Sequence, residues 1–157
     1  MEKLTTQDDI RKIVEEEMAK AKAHITANID SHGKRASGKT AESMQVQVAD
    51  EGSAVVGTLS GRAFFGALET GSKPWKTQYK TAPKFFADII AEWAQNKGVD
   101  ANPYAIATTI MRKGSKQHRE GPITTIFTEE IDATVQRIEQ RVMGLFDTVL
   151  VESIKRQ

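Results

Sequence analysis

The sequence predicts an α+β fold, with a small antiparallel sheet packed by long amphipathic helices at both ends of the chain. The sheet consists of a hairpin over residues 44–59 plus the segment near 62–69. Three observations predict it. Apolar residues recur at helical spacing over residues 6–30, and again at alternating steps of four and three over residues 131–149. Between these regions, apolar and polar residues alternate with a period of two before Asp50-Glu51-Gly52, and a second apolar run follows it.

The first helix carries Ile10, Ile13, Val14, Met18, Ala21, Ile25 and Ile29 on one face and Glu15, Glu16, Glu17, Lys20 and Lys22 on the other. Thr5 or Thr6 suits its start, Asp8 and Asp9 suit the positive end of its dipole, and Ser31-His32-Gly33 ends it. One helical turn is expected over 40–44. Met44, Val46 and Val48 alternate with Gln45 and Gln47 as a half-buried strand, and residues 54–59 return as its partner. Periodicity leaves residues 62–70 open between strand and helix. Residues 71–81 read as a loop. Pro83 opens a helix to about residue 96, with Phe85, Phe86, Ile89, Ile90 and Trp93 on one side and Gly98 after it. Asn102 caps the next helix, Pro103 takes its first position, and Gly114 follows its end, with Ile106 and Ile110 marking the buried side. Residues 115–122 read as a polar loop. The last helix runs from 125 or 128 to 154 and buries Ile131, Val135, Ile138, Val142, Leu145 and Val149, a stripe close to a heptad seam.

The chain of 157 residues predicts one domain, 1–157, with flexible loops near 33–39, 71–81 and 114–122. A chain of this length buries roughly 68–70% of its unfolded surface and builds a core without staples. The 22 Lys and Arg against 21 Asp and Glu give a net charge of +1, which excludes a global basic field. The absence of cysteine excludes a disulfide framework, a thiolate metal site and a cysteine nucleophile. Residues 1–9 carry acids and no apolar run, and no stretch approaches the ~18 consecutive apolar residues of a membrane span. The expectation is a soluble protein with no membrane partner.

One stretch matches a nucleotide-binding phosphate loop letter for letter: Gly33, then four residues, then Gly38-Lys39-Thr40. Such a loop needs a buried strand before it and a helix after it, so that backbone amides face phosphates, the lysine reaches the outer phosphates and the threonine holds Mg²⁺. Here an amphipathic helix precedes it and one turn follows. No apolar run ending in Asp supplies a second Mg²⁺ ligand, and Asp50 ends a half-polar strand. A basic connector is the expected reading, and a small nucleotide-binding protein is the alternative. No cofactor or metal is expected: His24, His32 and His118 have no ligand spacing. Ser60 lacks the flanks of a nucleophile elbow, so no catalytic constellation emerges and no enzyme is expected.

The bases collect in three loops: Lys34, Arg35 and Lys39; Lys73, Lys76, Lys80 and Lys84; and Arg112, Lys113, Lys116 and Arg119. The second interleaves Trp75 and Tyr79, a pattern compatible with base stacking and with interface anchoring. Solvated loops are the plain reading. If the three converge, they form a surface for DNA or a partner, and a non-specific DNA-binding module is a further alternative.

The order of these signals resembles a known family. Ser37-Gly38-Lys39-Thr40-Ala41-Glu42-Ser43-Met44, Phe64-Phe65-Gly66-Ala67-Leu68-Glu69-Thr70-Gly71, Pro83-Lys84-Phe85 and Lys113-Gly114-Ser115-Lys116-Gln117-His118 follow one another as in the minor tail, neck and tail-completion proteins of tailed bacteriophages. The chain departs from compact members by the helix at 102–113, a longer C-terminal helix and one extra residue between Pro83 and Phe85. The resemblance implies a non-enzymatic virion protein, assembled in the bacterial host cytoplasm. It would form a ring, most often a hexamer, that joins portal–adaptor and tail-tube proteins around exiting DNA. It makes Lys73, Trp75, Lys76, Tyr79, Glu69 and Gly71 candidates for contacts between subunits or with partners. Lys34, Arg35, Lys39, Arg112, Lys113, Lys116 and Arg119 are candidates for a surface facing DNA or a partner.

Overall fold

A computed structural model describes residues 7–63 and 65–155, with Ser153 by its backbone alone. The proposed caps Thr5 and Thr6, together with Phe64, lie outside the described residues. The chain is mixed α+β as predicted. It runs α1 (Gln7–Ser31), α2 (Lys39–Glu42), β1 (Gln45–Glu51), β2 (Ala54–Ser60), α3 (Ala67–Thr70), α4 (Lys84–Lys97), α5 (Pro103–Lys113), α6 (Lys116–Glu120) and α7 (Thr128–Lys155). Two expectations are corrected. Among the described residues the segment near 62–69 adds no strand: β1 and β2 form a two-stranded sheet, and Ala67–Thr70 is one helical turn. The loop at 114–122 contains α6, whose all-polar Lys-Gln-His-Arg-Glu carries no apolar period to announce it.

α1 is the spine. Its apolar side buries Ile13, Val14, Met18, Ala21, Ile25 and Ile29 against the hairpin and α7. The hairpin pairs Gln45 with Ser60 through to Glu51 with Ala54. At Gly57 of β2 a β-carbon would lie 2.9 Å from Val14 Cγ1 and 3.1 Å from Met18 Cγ, so a side chain there requires Val14 or Met18 to shift. α7 lies antiparallel to α1, since Asn28 meets Ile126, His24 meets Glu130, and Glu17 meets both Arg137 and Arg141.

The core divides in two. Ile25, Ile29, Ala41, Met44 and Ile126 are buried where α1, α2, the hairpin and the entry to α7 converge, with Phe65 and Phe127 ring to ring at 5.1 Å. Ala82, Ala87, Ile90 and Ala107 form a second cluster between α4 and α5. The predicted faces hold in part. Three of the four buried residues are alanines, so the backbones approach closely, and Ile90 is buried with them while Phe86, Ile106 and Ile110 pack against the cluster. Phe85 and Ile89 are exposed, and Ile106 and Ile110 are half-buried. On α7 the seam also departs from expectation: Val135 is exposed and Thr134 is buried in its place, its hydroxyl donating to Glu130 O at 2.7 Å.

Glu17, 1% exposed, ties α1 to α7. Lys20 Nζ donates to its Oε1 at 2.8 Å, Arg141 Nη1 to the same oxygen at 2.8 Å, and Arg137 Nε to Oε2 at 2.8 Å. Arg141 also reaches Glu16 at 2.7 Å, and Arg137 reaches Glu130 at 2.8 Å. Both carboxylate oxygens are filled, which is what a buried charge requires. The hydrogen bond from Lys20 leads this effect. Burial opposes it, but Lys20 with the two arginines outweighs burial and lowers the Glu17 carboxyl from 4.5 to about 2.

A folded carboxyl below its unfolded value stabilises the fold above the unfolded value and loses that contribution as pH falls toward the folded one. Glu17 therefore contributes on the order of 3 kcal/mol at pH 7, lost between about pH 5 and pH 2. Urea unfolding at pH 7, 5 and 3 is expected to show this fall. Glu17→Gln is expected to be less stable at pH 7 and to give a flatter profile between pH 5 and 3.

Candidate functional site

The site borders α3, and Glu69 fastens that turn to the start of α7. Its carboxylate is 3% exposed and sits under the entry to α7. Oε1 accepts from the backbone N–H groups of Ile126, Phe127 and Thr128 at 3.0, 2.7 and 3.0 Å, and Oε2 accepts from Thr128 Oγ1 at 2.6 Å. Burial alone would raise this carboxyl, but the four donors outweigh it and hold it below its ordinary value. An anion at the positive end of a 28-residue helix is favoured twice over, by the open N–H groups and by the helix dipole. Glu69, expected at a partner contact, is thus spent inside the subunit.

Gly71 is equally internal. Its φ of +71° and a β-carbon position only 2.4 Å from His118 N and 2.5 Å from Ser115 Oγ leave room for no side chain. The close approach lets Ser115 Oγ accept from Ser72 N at 2.9 Å while Ser115 N donates to Ser72 O at 2.9 Å. Trp75 N donates to Met111 O at 2.8 Å, and its ring lies against Phe86 at 4.7 Å and Phe85 at 6.3 Å. Trp75 therefore anchors the 71–81 loop to α4 and α5. Lys73, Lys76 and Tyr79 stand exposed beyond it.

These bonds bring the three basic loops together. Arg112 donates to Lys80 O, joining the second loop to the third. Lys34 Nζ donates to Gln117 Oε1 at 2.9 Å, joining the first to the third, and Lys97 donates to Gly33 O. At their meeting point lies a cleft of about 640 Å³. Its floor is apolar, with Ile90 and Trp93 from α4, Ile106 and Ile110 from α5, and Ala67 from α3. Its rim carries Lys34, Lys97, Lys116 and Arg119, and no Asp or Glu is among the described residues lining it. Lys116 has Glu120 at 3.7 Å across one exposed turn, a weak pair. Volume and lining fall in the range of small-ligand and side-chain binding pockets. Of the predicted bases, Lys34, Lys116 and Arg119 reach this cleft. Arg35 pairs with Asp30, Lys39 pairs with Glu92 at 2.8 Å, and Arg112 and Lys113 are exposed outside the cleft. Sequence reasoning missed Lys97 and Trp93, because each reads as an ordinary residue of a surface helix.

The phosphate-loop pattern has no phosphate-loop architecture. Gly33 follows α1 and not a strand, α2 is four residues long, and the Lys39 ammonium is held by Glu92. The histidines are dispersed: His24 Nδ1 meets Glu130 at 3.0 Å, and His32 Nε2 meets Thr125 Oγ1 at 2.8 Å. Among the described residues, no group of three His, Cys, Asp or Glu could hold a metal ion, and no helix is long and apolar enough to cross a membrane.

The far end of α7 carries the second unpredicted feature. Val142, Leu145 and Val149 are half-buried, while Met143, Phe146, Leu150, Val151 and Ile154 are exposed on the other side. Leu150 is 60% exposed and Ile154 72%. The signal was present in the sequence as adjacent apolar pairs, Leu145-Phe146 and Val149-Leu150, which put apolar residues on two faces of one helix.

Glu69→Gln keeps the size of the side chain and removes its charge, so it is expected to cost about 2–3 kcal/mol. Thermal unfolding followed by circular dichroism should show a Tm lower by about 5–10 °C, whereas Lys73→Ala or Lys76→Ala should change stability by less than ~0.5 kcal/mol. No protein-family model matches this chain, and neither a curated protein nor a solved structure is detectably similar to it.

Proposed function

We propose that the chain is a structural protein of the tailed-phage virion, of the neck or tail-completion type. It works by assembling into a ring at the head–tail junction or in the tail. The observation that carries this reading is the amount of apolar surface the folded chain leaves open. Phe85 and Ile89 on α4, and Met143, Phe146, Leu150, Val151 and Ile154 on α7, are all exposed. A contiguous apolar face on a helix is the mark of an interaction surface, and helices apolar on two faces are covered on both. The order of helix, hairpin, short turn, basic loop and C-terminal helix supports the same reading.

The cations gathered around the cleft, with Lys73 and Lys76 nearby in sequence, suit an acidic partner surface or the phosphates of passing DNA. Trp75, whose ring lies against Phe85 and Phe86, holds the exposed part of that loop in place for such a partner.

The purified protein is expected to be monomeric or weakly associated when dilute, and to form rings at high concentration or with portal–adaptor and tail-tube proteins. Mass photometry of the protein alone and of the mixtures reads this directly. A monomer that persists in every mixture contradicts it.

A further inference from the structure

Among the described residues, two features remain without a partner inside the chain: the cleft with its apolar floor and cationic rim, and the outer apolar stripe of α7. They are complementary. The cleft offers Ile90, Trp93, Ile106 and Ile110 beneath Lys34, Lys97, Lys116 and Arg119. The stripe offers Phe146, Leu150 and Ile154 at steps of four, with Asp147 on the same side of the helix. An apolar ridge carrying a carboxylate fits an apolar trough edged with ammonium and guanidinium groups.

The two features cannot meet within one chain. Gly33 and Lys34 line the cleft immediately after the C-terminal end of α1. α7 runs antiparallel to α1 and begins at that same end, since Asn28 bonds Ile126. The 28 residues of α7 then carry the stripe toward the opposite end, on the order of 40 Å away at 1.5 Å per residue. Cleft and stripe thus sit at opposite ends of a stiff helical pair.

We infer that the cleft is the docking site for the C-terminal half of α7 from a second copy of this chain, with Asp147 placed among the cleft's cations. The inference rests on the assembly reading above and deepens it by naming the contact. A contact between two different surfaces, one at each end of the subunit, is heterologous. It propagates head to tail, and it closes into a ring if the rotation per step permits. Each subunit then covers one neighbour's cleft and offers its own cleft to another.

The chain contains no cysteine, so a disulfide trap is clean. Asp147→Cys and Arg119→Cys are made separately in the full chain; both positions are at the surface, and neither holds the fold together. The two variants are mixed under mild oxidation and followed on non-reducing gels. The mixture is expected to give a cross-linked dimer about tenfold faster than either variant alone, or than Asp147→Cys mixed with a control thiol at Glu15, because docking raises the effective concentration of the thiol pair. The double variant in one chain is expected to give a ladder of oligomers. Equal rates in all mixtures overturn the inference, as does fastest cross-linking in Asp147→Cys alone, which signals a two-fold contact between stripes.

Modification of Arg119→Cys by a maleimide is followed in parallel, with and without a DNA oligonucleotide. Protection by DNA together with no cross-link to Asp147→Cys assigns the cleft to nucleic acid and overturns the docking contact. Mass photometry separates this outcome from failure of the assembly reading. Rings without the cross-link leave the subunit an assembling protein with a different contact. A cross-link without rings, even with portal and tail-tube proteins, keeps the contact and removes the ring.

Discussion

The carboxylate of Glu17, held between Lys20, Arg137 and Arg141, fixes how the two long helices face each other. Apolar side chains along α1 and α7 attract one another at any register that buries them, because the hydrophobic effect has no direction. A buried carboxylate does have direction. It demands its cations at fixed places, and a shift of one turn leaves a charge unpaired at a cost of about 3–5 kcal/mol. The pairing at Glu17 therefore chooses one alignment of the two long helices. That alignment puts Asn28 beside Ile126, brings the start of α7 over Glu69, and carries the stripe of α7 to the far end.

From that alignment the site follows. Glu69 fastens α3 to the beginning of α7, and Gly71, two residues later, lets the chain pass against Ser115 and His118. The 71–81 loop then runs to the α4–α5 pair, where Trp75 N meets Met111 O. The alanine seam of that pair keeps its two helices close, with Ile90 buried beside it, Ile106 and Ile110 half-buried at its edge and Trp93 exposed. What remains between the two clusters is a cleft whose floor is apolar and whose edges carry the bases of three loops. The charge balance of the whole chain conceals this division, because six of the acids lie on α7 against three bases.

Periodicity made the long elements legible. α1, the hairpin, α4, α5 and α7 all stand within a few residues of where spacing and caps put them, and Asn102 accepts from Tyr104 N at 2.9 Å as its position before Pro103 predicts. Short elements were not legible: Ala67–Thr70 is too brief to express a period, and α6 has no apolar residue to mark one. Facing was harder still. A single sequence says that Phe85 and Ile89 share a side with Ile90, but the alanines at 87, 94 and 107 decide which part of that side meets the neighbour. In the site, the basic loops could be named from sequence but their convergence could not, since it depends on hydrogen bonds between residues as distant as Lys34 and Gln117. Glu69 was noticed for its place before Gly71, and its capping of α7 lay 57 residues away in the chain.

Assembly through different surfaces at the two ends of the subunit can be seen by electron microscopy of the assembled particle at a resolution that separates helices. The expected result is a ring in which the far end of α7 from each copy enters the cleft between α4, α5 and α6 of the next, always in the same direction around the ring. A particle in which that cleft and the outer stripe of α7 both face solvent contradicts it, and so does one in which α7 meets α7 across a two-fold axis.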